Sequence, residues 1–187
     1  RQRQMCIRDR DYILRPVLKF EHYQAPGQRD AIRRALFAPP GSTLLVNLPT
    51  GTGKTLVAQV LTLMAPPQGA MCLLIAPTTA LVMELTRRFR ELLSEAGGRP
   101  ESVSAWYSDL PAQDKSDTRQ RIRVGEQRLI VTSPEAACGS LQFALFEAAK
   151  QGGLRHVIVD EAHIVASWGN GFRPNFQQLG VLIRGLK

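Results

Sequence analysis

Residues 43–64 read TLLVNLPTGTGKTLVAQVLTLM, and the fold is decided there. The first six residues are a short apolar run of the kind that forms a buried strand. Residues 53–64 have a helical apolar period that stops before Pro66-Pro67. Between them lies Pro49-Thr50-Gly51-Thr52-Gly53-Lys54-Thr55. Glycines at such a junction let backbone N–H groups close around phosphate oxygens, and the helix N-terminus adds a partial positive charge. Thr50, Gly51, Thr52 and Gly53 therefore form the predicted cradle. Lys54 is placed to reach the β- and γ-phosphates as a compact cation, and the Thr55 hydroxyl to ligate magnesium. Leu48 stands where the strict pattern has its first glycine. A third glycine after Gly51 and Gly53 is lacking, which excludes a dinucleotide fingerprint.

Outward from this stretch the periods keep alternating. Residues 26–37 carry Ala31, Ile32, Ala35 and Leu36 at helical spacing before Pro39-Pro40-Gly41. Residues 71–76, 102–107, 128–132 and 156–160 read as strands. Residues 80–96, 113–124 and 134–150 read as helices, the last opening with Pro then Glu as helix starts favour. Continuous apolar strands separated by helices predict an α/β fold, a parallel sheet with helices on both faces.

The chain has 187 residues, 44% hydrophobic and 21% charged, enough for one domain with a real core. That composition excludes a disordered chain, and no apolar run approaches the 18 residues a membrane-spanning helix needs. Cys6, Cys72 and Cys138 lie far apart with no CxxC pair, which argues against a disulfide framework and fits a reducing compartment. Met5 to Arg10, MCIRDR, looks like the translation of a sequencing-library adapter end, so residues 1–10 are read as a fused artefact. Without them four arginines and one aspartate go, and the formal charge falls from +8 by three to +5. The remaining basic bias is consistent with an anionic partner.

Asp160-Glu161-Ala162-His163 closes the last predicted strand. A carboxylate at a strand end, here Asp160, can hold magnesium. Its neighbour Glu161 is placed to take a proton from an attacking water. His163 is the only histidine beside this carboxylate motif.

PTGTGKT paired with DEAH resembles the first motor domain of superfamily-2 helicases. Residues 160–180, DEAHIVASWGNGFRPNFQQLG, look like the RecQ branch, with Trp168-Gly169 followed by Phe172-Arg173-Pro174 and Phe176. The sequence departs from that branch at Ser167, Gly171 and Ile164, where Gln, an acid and Cys are usual. Residues 23–64 also resemble the RecQ-like helicase of DNA deazapurine-modification systems. The resemblance implies a RecA-like P-loop domain over residues 11–187, the N-terminal ATP-binding part of a DNA helicase. It is expected to be truncated before a second motor domain of the same full-length chain, and nearly inactive by itself.

ATP and magnesium are the implied cofactors, and single-stranded or partly duplex DNA is the implied partner. A cytoplasmic location follows, nucleoid-associated in a bacterium. Pro26-Gly27-Gln28 resembles the segment whose glutamine reads adenine, with Ala25 where an arginine is usual. Residues 76–81 and 132–135 look like the motifs that hold a nucleic-acid backbone, which nominates Thr78 and Ser133. Trp168, Phe172 and Arg173 would stack on bases or bond phosphate. Their adjacency to Glu161 and His163 implies coupling between strand binding and hydrolysis. An RNA helicase of the same superfamily, or a non-motor ATP-gated binding module, remains the alternative.

Overall fold

Met71–Ile75 (β1) is apolar at every position because both of its faces and both of its edges are covered. The computed structural model describes residues 9–15, 21–49, 51–163 and 174–186. Four parallel strands form one sheet: β1, Val103–Trp106 (β2), Leu129–Thr132 (β3) and Leu154–Val159 (β4). Their order is β2-β3-β1-β4, with Leu73 level with Ile130 on one side and Val157 on the other. β1 is thus central, and its amino end starts from the Met71 N–H bond to Gly153 O at 2.7 Å.

The described helices are Pro26–Leu36 (α1), Thr55–Met64 (α2), Thr79–Glu95 (α3), Ala112–Arg123 (α4), Pro134–Cys138 (α5), Gln142–Lys150 (α6) and Pro174–Gly185 (α7). Alternate side chains of a strand leave opposite faces. Met71, Leu73 and Ile75 join Trp106 and Ile130 in a core closed by Ala137, Leu141 and Leu145 of the α5–α6 region and Leu179 and Leu182 of α7. The other face meets α3, whose Val82, Leu85, Phe89 and Leu93 fall on one buried stripe at helical spacing. Helices on both faces of a parallel sheet are as the periods predict.

Residues 134–150 are two helices rather than one. Gly139 breaks the run, and the chain restarts through Leu141 N–H to Ala136 O at 3.0 Å and Gln142 N–H to Gly139 O at 3.1 Å. Glycine is a poor helix former. The break also frees Ser140, whose Oγ accepts the indole N–H of Trp106 at 3.0 Å.

The chain divides into two compact units, residues 1–64 and residues 65–187, and the sheet belongs wholly to the second. In the first, α1 packs on α2. Residues 43–48, predicted as a strand, form no strand and pair with none of the described strands, and Leu45 is 82% exposed. The reason is the lack of a partner: the only β pairing described in this unit is the isolated bridge between Asp9 and His22. A strand needs a neighbour for its N–H and C=O groups.

The first unit buries Leu14, Ile32 and Val60 and is tied by polar contacts as well. The Asp11 carboxylate accepts from Arg33 Nη2 at 2.6 Å, Arg29 Nη2 at 3.1 Å and the Tyr23 hydroxyl at 3.0 Å. Burial pushes this carboxyl up, but the bonds from Arg33, Arg29 and Tyr23 outweigh it and hold the group down at about 2. Burial and the bond to Asp11 push the Tyr23 phenol up to about 12.

Candidate nucleotide and nucleic-acid site

The predicted phosphate loop is built around two glycines in the left-handed region, Gly51 at φ 80° and Gly53 at φ 73°. Side chains rarely adopt that conformation. At Gly53 a side chain would also displace its neighbours, since a Cβ would lie 2.4 Å from Gln28 Nε2 and 2.9 Å from Gln24 Oε1. Thr52 Oγ1 donates to Pro49 O at 2.6 Å and closes the loop from inside. α2 then opens at Thr55, with Leu56 N–H on Gly53 O and Val57 N–H on Lys54 O, both at 3.0 Å. Lys54 is exposed and Thr55 half-buried. Thr50 lies outside the described residues.

Gln28, nominated as the adenine reader, is 2% exposed. Its amide donates to Gly53 O at 3.0 Å and accepts from Gln24 N–H at 3.0 Å. It is therefore a strut between α1 and the loop, a role that its spacing in sequence did not reveal. Leu48, in place of the strict pattern's glycine, packs over Gly27: a Cβ on Gly27 would meet Leu48 Cδ2 at 2.9 Å.

In the second unit the carboxyl ends of all four strands carry polar segments. The acidic pair follows β4. Asp160 N–H donates to Ile75 O at 2.9 Å, which extends the parallel ladder one residue past the strand. Glu161 then turns sharply, at φ 51°, with its N–H on Asp160 Oδ1 at 3.0 Å. A non-glycine residue in that region carries strain of order 1–3 kcal/mol, a feature that concentrates at functional sites. His163 Nδ1 lies 3.1 Å from Glu161 Oε2. Asp160, Glu161 and His163 are thus brought together. Oxygen donors such as the Asp160 carboxylate and the Thr55 hydroxyl suit magnesium in kind, since that cation prefers hard oxygen ligands.

At the same edge a groove of about 440 Å³ runs between Thr78 and Thr79 after β1, Tyr107 and Asp109 after β2, and Ser133 and Glu135 after β3. Thr78 Oγ1 accepts from Leu81 N–H at 3.2 Å and caps α3. Ser133 Oγ accepts from Ala136 N–H at 3.3 Å and caps α5. A cap uses an oxygen lone pair and leaves the hydroxyl proton available to donate. Sequence reasoning nominated Thr78 and Ser133, which line this groove, but not Tyr107 and Asp109, which lie within three residues of the end of an apolar strand. Trp168, Phe172 and Arg173 lie outside the described residues. No helix of the described residues is long and apolar enough to cross a membrane.

Comparison with known proteins bears on the family and the fold. The family profile described as DEAD/DEAH box helicase matches residues 25–184. The chain is similar to the ATP-dependent DNA helicase Q5 of Mus musculus, 28% identical over 93% of the chain and 17% of that protein. It is also similar to the ATP-dependent DNA helicase RecQ of Synechocystis, 27% identical over 92% of the chain and 33% of that protein. The crystal structure of the DUF1998 helicase MrfA shares the fold at a TM-score of 0.50 and 18% identity, covering 84% of this chain and 27% of that one. The chain therefore spans a third or less of the length of these relatives. It belongs to the DEAD/DEAH box helicase family.

Proposed function

We propose that this chain is the ATP-binding motor domain of a RecQ-like DNA helicase, coupling ATP hydrolysis to movement along a single strand and unwinding of a duplex. The observation that carries the proposal is one sheet edge: an acidic pair after β4 and a hydroxyl-lined groove after β1, β2 and β3 share the carboxyl ends of four parallel strands. Open parallel sheets bind their ligands at that edge.

The triphosphate is assigned to the loop of residues 49–55. There the N–H groups around Gly51 and Gly53 bond phosphate oxygens and the Lys54 ammonium offsets their charge. Thr55 and Asp160 would hold magnesium, which supplies charge compensation for the phosphates when bound. Glu161 orients the attacking water and accepts its proton. His163, in contact with the Glu161 carboxylate, carries the state of the bound strand to that base. Thr78 and Ser133 donate their hydroxyls to phosphates of the strand. Trp168, Phe172 and Arg173 are assigned to stacking and phosphate contact beyond the acidic pair. The second motor domain of a longer chain would complete the reaction.

The test is ATP hydrolysis by the intact protein with and without single-stranded DNA, with single-stranded RNA as the parallel arm. DNA is expected to stimulate turnover more than RNA. Lys54→Ala and Glu161→Gln should each lower the rate by about 100-fold or more, the usual effect of removing a group that stabilises developing charge or moves the proton. Glu161→Gln should still bind nucleotide. Turnover unchanged by Lys54→Ala would overturn the assignment.

A further inference from the structure

Tyr107 occupies a wall of the groove that no motif reading reaches, and its surroundings fix it unusually well. Its neighbour Trp106 is fully buried. The Trp106 indole N–H bonds Ser140 Oγ at 3.0 Å, and its carbonyl accepts from Thr132 Oγ1 at 2.8 Å. The Arg119 guanidinium sits 5.2 Å from the Trp106 ring centroid. On the other side, Leu110 N–H bonds Tyr107 O at 3.2 Å and Lys115 Nζ bonds Ser108 O at 2.7 Å. The backbone is therefore held from both directions, and Tyr107, half-buried, is one of the residues that line the groove. Among the described residues its hydroxyl makes no hydrogen bond. An aromatic lining a groove, with no partner among the described residues for its polar end, is suited to offer its ring to whatever enters.

The charges of the groove narrow what that ligand gains. Its described lining includes the carboxylates Asp109 and Glu135 and no lysine or arginine. Phosphate neutralisation, which dominates most nucleic-acid binding, is thus limited in this sector, where the adjacent Lys115 ammonium is engaged by Ser108 O at 2.7 Å. Affinity here has to come from neutral donors, the hydroxyls of Thr78 and Ser133, and from an uncharged surface that tolerates any base. Aromatic stacking supplies that, and it is insensitive to sequence.

We infer that Tyr107 is a base-stacking platform for a single strand whose backbone passes the Thr78 and Ser133 hydroxyls. The inference rests on the proposed strand-binding role of this sheet edge and adds the residue that would hold a base there. Trp106 is its anchor, buried so that Tyr107 need not be ordered when the strand arrives.

The experiment measures binding of the intact protein to a fluorescent oligothymidylate and to a deoxyribose-phosphate strand of equal length without bases. Tyr107→Ala should weaken oligothymidylate binding by about 5- to 150-fold, the range that stacking one base provides. Tyr107→Phe should restore it. The factor should be the same at low and high salt, and on the base-free strand wild type and Tyr107→Ala should bind alike. Equal losses on both strands would show a structural role and overturn the inference, as would Tyr107→Ala binding like wild type. If Thr78→Ala and Ser133→Ala weaken binding while Tyr107→Ala does not, the platform alone fails. If wild type binds neither strand, the edge itself has been misassigned and both readings fall.

Discussion

Residues 43–48, TLLVNL, and β1, MCLLI, are apolar runs of nearly equal length in one chain, and they end differently. β1 is buried at every position between two parallel neighbours. The earlier run forms no regular element, pairs with no described strand and leaves Leu44 at 39% and Leu45 at 82% exposure. Intrinsic preference is the same, so the difference lies in company. A strand is stabilised by cross-strand neighbours and by what covers its faces. Helix α2 needs no such partner for its own hydrogen bonds, and it forms where the period puts it.

That contrast sets the largest expected effect. Amide hydrogen exchange should be slowest in β1, where opening requires global unfolding, and fast in residues 43–48. A stability of about 5–15 kcal/mol separates the two by at least about 10³-fold. Comparable protection in both runs would break the comparison, because it would mean that residues 43–48 have a partner the described contacts do not contain. Substitution reads the same difference on a smaller scale. Leu73, fully buried at the centre of the sheet, should lose about 2–5 kcal/mol on replacement by alanine. Leu45→Ala should stay within about 0.5 kcal/mol, as exposed positions do. Urea unfolding of both variants measures this, and a large loss at Leu45 would again point to a hidden partner.

Much of this was legible in the sequence for a simple reason. The periods that predict residues 71–76, 128–132 and 26–37 as strand, strand and helix are satisfied inside one element and one core. The observed elements Met71–Ile75, Leu129–Thr132 and Pro26–Leu36 differ by a residue or so at their ends. What the sequence could not give was pairing. Nothing in local spacing says that β3 inserts between β2 and β1, or that Gly139 divides one predicted helix in two. The acidic pair was visible because it is contiguous. The groove was only half visible, because Tyr107 and Asp109 reach it from a strand whose neighbours are far away in sequence. Gln28 was nominated as a ligand contact from its motif, whereas its bond to Gly53 O leaves no trace in spacing.

The two units also differ in what holds them, and acid separates them. The second rests on a hydrophobic core that does not titrate. The first adds to its buried Leu14, Ile32 and Val60 a tie through Asp11, which joins Arg29, Arg33 and the buried Tyr23 to one carboxylate. Its folded value of about 2 lies below the ordinary 3.8. A depressed carboxyl contributes stability that is complete above its unfolded value and is lost as the pH falls through the folded one. The contribution should therefore be full above about pH 4 and disappear toward pH 2. Because Arg33 is half exposed, water screens part of the interaction, and an effect on the order of 1 kcal/mol is expected. Asp11→Asn should lose that much at neutral pH and should flatten the acid dependence of exchange in α1 between pH 4 and 2. Exchange in β1 should keep its wild-type profile over the same range. If the asparagine variant retains the acid dependence of α1, another carboxylate governs the first unit, and the contrast between a titrating tie and an inert core must be redrawn around it.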